Sequence, residues 1–282
     1  MQATKLLLYK NGGVEILKIF NKIYMALIFI FLYAPIFVLV IFSFNNSKSR
    51  VVWSGFTFKW YYRLFENQEI LSAFYNTIII ALISAIIATI LGTVAAVGII
   101  RSKKWQKQII MNITNLPMVD PEIVTGVSLM LLFVFLYISF GIFKPGLLTL
   151  ICAHTTFCLP YVILSVMPKL RQMDPNIYEA AVDLGCSPIQ AFFKVVLSQI
   201  MPGIITGMIL SFTMSIDDFV ISYFTSGTTQ TLPITVYSMT RKIISPEINA
   251  LSTVLFLVVF ALLIVINLRQ VKDKELEKNT VK

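Results

Sequence analysis

Charge is scarce in this chain. Asp, Glu, Lys and Arg make up 13% of 282 residues, against 57% apolar residues. A soluble globular domain has roughly 25% charged and about 45–50% apolar residues. The shortage excludes an ordinary soluble domain and predicts a membrane protein. Histidine occurs once, at His154, and cysteine three times, at Cys152, Cys158 and Cys186. An odd number of cysteines, two of them inside an apolar run, implies no disulfide framework. One histidine and three scattered cysteines make no metal-ligand cluster. No Gly-x-x-x-x-Gly-Lys-Ser/Thr stretch is present, so the chain has no P-loop of its own for nucleotide. Its Ser, His and Asp residues show no nucleophile spacing. The expectation is a non-catalytic chain that binds no cofactor itself. The net charge of +9 would suggest nucleic acid in a soluble protein, but in a membrane protein the distribution of charge matters more than its size.

What the chain does have is long uncharged runs. Ile23–Phe44 is uncharged for 22 residues, enough to cross a hydrocarbon core of about 30 Å. A signal-peptide apolar region is only about 7–15 residues, and no small-residue cleavage site follows, so this reads as an uncleaved first span. A second span lies within Ile70–Ile100, starting near Asn76. A third runs from near Pro121 to Phe143, and a fourth from Leu147 to Val166 after the Lys144-Pro145-Gly146 turn. A fifth runs from about Gln199 to Ile221, and a sixth from Ala250 to Leu268. The predicted fold class is an all-α membrane protein with six transmembrane helices: an N-terminal segment (1–22), a transmembrane domain (23–268) and a charged tail (269–282). Six spans leave both termini on one side of the membrane. That side carries 16 lysines and arginines against 7 on the other, and the excess of positive charge predicts that it is cytoplasmic.

One segment, at about 174–198, fits neither a span nor a simple loop. Asp174-Pro175 reads as a helix start. Ile177, Ala181 and Leu184 fall on one helical face. Gly185 ends that helix, and Ser187 with Gln190 forms a capping box for another. Two short helices joined at a glycine elbow are expected, with Glu179-Ala180-Ala181 offering small side chains for close approach by a flat partner. By the charge rule this segment is cytoplasmic.

Acids near membrane depth are expensive and are functional candidates. Asp217-Asp218 close the fifth span. Adjacent helical residues diverge by about 100°, so at least one should face protein or a pore. A pair capping a helix break is the structural alternative. Asp120-Pro121-Glu122 opens the third span, where Asp120 suits an N-cap and Glu122 suits the helix dipole. Glu122 is also a candidate path acid. Trp60, between Lys59 and Tyr61, offers a ring face for an ammonium group or an interfacial anchor. His154 with Thr155 and Thr156 reads as a hydrogen-bonding site between helices.

The spacing Glu179, Ala180, Ala181, Gly185, Val195, Leu197 resembles the EAA loop of permease subunits of ABC importers; Ser198 stands where that pattern has proline, and Pro202-Gly203 follows slightly later. Further segments resemble the second permease of spermidine/putrescine importers. They include Ser43-Phe44-Asn45, Lys59-Trp60-Tyr61, Pro121-Glu122-Ile123-Val124, His154 to Pro160, Ser211-Phe212-Thr213 with Ser215 to Asp218, Leu232-Pro233-Ile234 and Tyr237-Ser238-Met239. The resemblance implies the type I importer fold in a bacterial inner membrane. It implies a homologous second permease, a cytoplasmic ATPase dimer holding ATP and magnesium, an extracytoplasmic polyamine-binding protein, and no nucleic acid. It makes Glu179, Ala180, Ala181 and Gly185 the ATPase-coupling residues, and Asp217, Asp218, Ser215, Glu122 and Trp60 candidates for a polyamine path. Two alternatives remain open: a permease for another small solute, and a channel or secondary carrier working alone.

Overall fold

A computed structural model describes residues 2–47, 52–119, 122–174, 176–241, 246–258, 260, 261 and 264. Among these the chain is helical with no strand; extended backbone pairs in an isolated bridge between Asn45 and Phe56. The chain divides into two units, one from Met1–Asn67 with Lys242–Lys282, the other Gln68–Arg241.

In the first unit, α1 (Gln2–Ser43) contains an apolar segment long enough to span a bilayer, Phe20–Ser43. Its large side chains, such as Phe31 and Leu32, are uncovered, which is the state expected of a helix facing lipid. The connection after α1 is organised by buried Asn45. Its Oδ1 accepts from the Ser54 N–H at 3.0 Å, and its Nδ2 donates to the Val52 carbonyl at 2.8 Å. Its own carbonyl accepts from Trp60 Nε1 at 2.7 Å. Trp60 lies on the short helix α2 (Lys59–Glu66). From the same helix, Arg63 reaches Glu247 at 3.9 Å.

The second unit is built on α3 (Gln68–Arg101), α6 (Leu147–Gln172) and α9 (Leu197–Asp217), which pack against one another. Lipid tails are as apolar as leucine, so helices in a bilayer are held by close packing and interhelical hydrogen bonds rather than by water exclusion. The contact faces fit that rule. The buried face of α3 is mostly small residues, among them Ala73, Ala81, Ser84, Ala85, Ala88, Gly92 and Ala96. A Cβ on Gly203 would sit 2.8 Å from the Ser165 carbonyl oxygen, and one on Gly207 would sit 3.1 Å from Val162 Cα. Ser84 Oγ donates to the Ile151 carbonyl at 3.1 Å and Cys158 Sγ to the Ser211 carbonyl at 3.3 Å.

Around this trio lie α4 (Lys104–Val119), α5 (Glu122–Phe140), α7 (Ile177–Asp183), α8 (Pro188–Ala191), α10 (Val220–Thr225) and α11 (Leu232–Arg241). Asn76 Nδ2 donates to the Gln230 carbonyl, and the Leu232 N–H donates to Thr77 Oγ1 at 2.8 Å, so the segment after α10 is pinned to the start of α3.

Among the described residues, five helices are long and apolar enough to cross a membrane: Phe20–Ser43, Gln68–Arg101, Glu122–Phe140, Leu147–Gln172 and Pro188–Asp217. The chain is a multi-pass membrane protein. Of the expected sixth span, a helix over Glu247–Val258 is described; much of the rest, to Leu268, lies outside the described residues, as do Asp120 and Pro121. The fifth span differs most from expectation. It begins at Pro188, not near Gln199, and it ends at Asp217, not at Ile221. The early start arises because α8 runs through a π turn (Phe192–Val196) straight into α9. The expected second short helix is therefore the first turn of the span. The helices α4, α10 and α11 were not expected from the sequence.

Candidate functional site

Two regions of the second unit carry the expected functional residues other than Trp60. The first follows α6. Asp174 Oδ1 accepts from the Asn176 N–H at 2.9 Å, and α7 begins at Ile177. It ends at Asp183 with Leu184 as its C-cap, and Gly185 takes φ +91°, a conformation that costs a side-chain-bearing residue. Ser187 and Gln190 then cap each other: the Gln190 N–H donates to Ser187 Oγ at 3.4 Å and the Ser187 N–H to Gln190 Oε1 at 3.2 Å. Ala181 is buried, whereas Glu179, Ala180 and Gly185 are exposed. Leu184 does not share the buried face of Ala181 as its spacing predicts. As the C-cap residue it departs from helical geometry, with φ −77° and ψ 8°, and it is 87% exposed. With Val182, Ile189 and Phe193 it forms an apolar surface around the elbow. Arg101, at the end of α3, lies 5.6 Å over the ring of Tyr178 in α7.

The second region is the end of α9. The helix stops at Asp217; Asp218 is extended (φ −64°, ψ 117°), and α10 follows after Phe219. Asp218 is buried, at 7% exposure, and its carboxylate is committed. Oδ1 accepts from the Ile221 N–H at 3.3 Å and Oδ2 from the Ser222 N–H at 2.8 Å. Backbone donors at a helix start have no partner inside the helix, and lipid supplies none, so the carboxylate satisfies an obligatory need. His154 in α6 reaches the same place: Nδ1 is 2.6 Å from Ser215 Oγ, and Nε2 is 2.9 Å from Ser222 Oγ and 3.5 Å from Asp218 Oδ2. The expected interhelical role of His154 is thus observed.

Asp217, Asp218 and Ser215 are brought together by the end of α9, and Glu122 at the start of α5 lies within electrostatic reach of Asp217. Asp217 and Glu122 are exposed, while Ser215 and Asp218 are buried. Trp60 belongs to the first unit. It is 2% exposed, and Lys59 Nζ and Arg63 Cζ lie 5.7 and 5.5 Å from its ring. Sequence reasoning missed Tyr161, which lies within electrostatic reach of both Glu122 and Asp217. It also missed the aromatic group after the break, where Phe219 and Tyr237 ring centroids are 4.5 Å apart and Phe219 and Tyr223 5.5 Å apart. For Tyr223 and Tyr237 the signal in the sequence was their position after the acid pair; Tyr161 carried none.

Residues 88–271 match the family described as binding-protein-dependent transport system inner membrane component. The chain belongs to this family. Among relatives of this inner membrane component, the putrescine transport system permease protein PotI of Escherichia coli strain K12 is 44% identical over 230 residues, 80% of this chain and 82% of that protein. The spermidine/putrescine transport system permease protein PotC of the same strain is 37% identical over 258 residues, 91% of this chain and 95% of that one. A PotC homolog of Mycoplasma pneumoniae is 30% identical, covering 92% and 93%. In fold, the inner membrane component is similar to a chain of a bacterial ABC transporter that imports the acidic polysaccharide alginate. The TM-score is 0.70 at 14% identity, covering 90% of this chain and 96% of that one. That likeness carries the ABC permease fold alone.

Proposed function

We propose that this chain is a permease subunit of an ATP-driven polyamine importer, without catalysis of its own. It would form the translocation path with a homologous second permease, take cargo from an extracytoplasmic binding protein, and couple to a separate ATPase dimer that holds ATP and magnesium. The observation that carries the cargo is the pair of relatives named for putrescine and spermidine transport, at 44% and 37% identity over most of the chain. The chemistry at the end of α9 agrees with it. Two exposed carboxylates, Asp217 and Glu122, stand with Tyr161 in one electrostatic neighbourhood, and carboxylates with aromatic faces suit a flexible polycation. Of the five expected path residues, these two acids are the ones whose side chains are open. Ser215 and Asp218 are buried and bonded to His154 and the start of α10, and Trp60 is buried in the first unit.

The coupling surface is the elbow of α7 and α8, with both termini on the same, cytoplasmic side. Glu179, Ala180 and Gly185 are exposed there, next to apolar Val182 and Leu184, which precede the span that starts at Pro188. Uncovered apolar side chains in an aqueous loop suit a protein contact.

The test is uptake of labelled putrescine and spermidine by the full importer in proteoliposomes. Asp217→Asn should lower uptake about tenfold, the scale of one lost charge-assisted contact, while the complex still assembles. Unchanged uptake would remove Asp217 from the path. Transport of an unrelated solute in place of both polyamines would keep the permease and replace the cargo.

A further inference from the structure

His154 uses both ring nitrogens at a single place. Nδ1 meets Ser215 in the last turn of α9, while Nε2 meets Ser222 in α10 and Asp218 in the break between them. One side chain on α6 therefore ties down the end of one helix, the residue that breaks it and the start of the next. Asp218 does the same work from within the break, with each carboxylate oxygen on a different backbone N–H. A nearby hydrogen bond extends the seam: Thr149 Oγ1 on α6 donates to the Thr225 carbonyl at 2.8 Å. Asp217, one residue earlier, takes no part in this seam and is exposed.

We infer that the adjacent aspartates have opposite roles. His154 and Asp218 are positioning residues that hold the break at the end of α9 and so present Asp217, while Asp218 makes no contact with the transported cation. This rests on the proposed reading of Asp217 as a path acid. Without the cap, residue 218 loses the two hydrogen bonds of its own that hold it in its extended conformation. The first N–H groups of α10 then lose their acceptor, α9 frays or extends through the break, and the direction of the Asp217 carboxylate is no longer set. Charge at position 218 is incidental to this role; what is needed is a short side chain with acceptor oxygens at the helix start, of which asparagine keeps one and gives up the other.

The experiment compares two variants at one position in the full reconstituted importer with saturating putrescine-loaded binding protein, measuring uptake and ATP hydrolysis together. Asp218→Asn keeps one of the two cap hydrogen bonds and removes the charge, and its uptake should stay within about threefold of wild type. Asp218→Ala removes the cap, and putrescine moved per ATP should fall about tenfold, as for Asp217→Asn. His154→Leu should fall as Asp218→Ala does, and combining the two should add little, because residues of one network do not act independently. If Asp218→Ala or His154→Leu fails to assemble while Asp218→Asn assembles and transports, the positioning role stands. If Asp218→Asn loses as much uptake as Asp217→Asn, Asp218 touches the cation and the inference is overturned, with the path reading intact. If Asp217→Asn transports normally, the path reading itself fails and this inference goes with it.

Discussion

At the scale of single residues, the decisive feature is how little room the helix contacts leave. Gly203 faces the backbone of α6, where a Cβ would meet the Ser165 carbonyl oxygen at 2.8 Å and Val166 Cα at 3.2 Å. Neither is the end of a flexible side chain, so the helices themselves must separate. Gly203→Val should destabilise the protein by about 1–3 kcal/mol, the range for overpacking a close contact. Gly98 is the control: it lies on α3 with nothing within 4 Å of its built Cβ. Gly98→Ala should be neutral or stabilising by up to about 1 kcal/mol, the difference in helix propensity. Thermal midpoints of the two purified variants in detergent check both signs. A Gly203→Val protein as stable as Gly98→Ala would mean that α6 and α9 are not held by close approach.

At the scale of elements, what could be read in advance depended on how local the signal was. The capping box of Ser187 and Gln190, the stop at Gly185 and the first span are encoded by neighbouring residues; the first two stand where the sequence puts them, and the span, expected over Ile23–Phe44, is found over Phe20–Ser43. The end of the fifth span was misjudged because residues 219–221 are apolar. The break is made instead by Asp218 turning its carboxylate onto the N–H groups three and four residues ahead. Its partner His154 is 64 residues away, a distance across which no sequence period reports. The helix α4 was passed over because its charged start and mixed face match no span, although its 16 residues form a helix. The joint between Arg101 and Tyr178 was equally invisible, since it links the end of α3 to α7. That joint offers a route by which a push on α7 reaches a span. Tyr178→Phe keeps the ring and should couple as wild type does. Tyr178→Leu should lower polyamine moved per ATP about two- to fivefold, the range for an exposed cation–π contact of about 0.5–1 kcal/mol. Measuring hydrolysis and uptake in the same proteoliposomes checks this, and equal ratios in the two variants would rule out the ring contact as a transmitting joint.

At the scale of the whole molecule, the proposal depends on which side of the membrane the elbow lies. α6 runs from Leu147 to Gln172, 26 residues, and at 1.5 Å per residue it is about 39 Å long, more than the roughly 30 Å of the hydrocarbon core. The turn before α6 and the elbow after it must therefore lie on opposite faces. The excess of lysine and arginine predicts that the elbow is cytoplasmic. Single cysteines test this once Cys152, Cys158 and Cys186 are replaced by alanine. The last of these is necessary because Cys186 lies two residues beyond Leu184 and is partly exposed. A membrane-impermeant thiol reagent applied to intact cells should label Lys144→Cys and leave Leu184→Cys unlabelled until the cells are opened. The 87% exposure of Leu184 makes its silence in intact cells meaningful, because the membrane rather than protein packing is what would shield it. Adding the ATPase subunit to opened membranes should then slow labelling at Leu184→Cys and leave Lys144→Cys unchanged. Labelling of Leu184→Cys in intact cells would put the elbow outside, out of reach of any cytoplasmic ATPase, and the coupling role of Glu179, Ala180, Ala181 and Gly185 would fall.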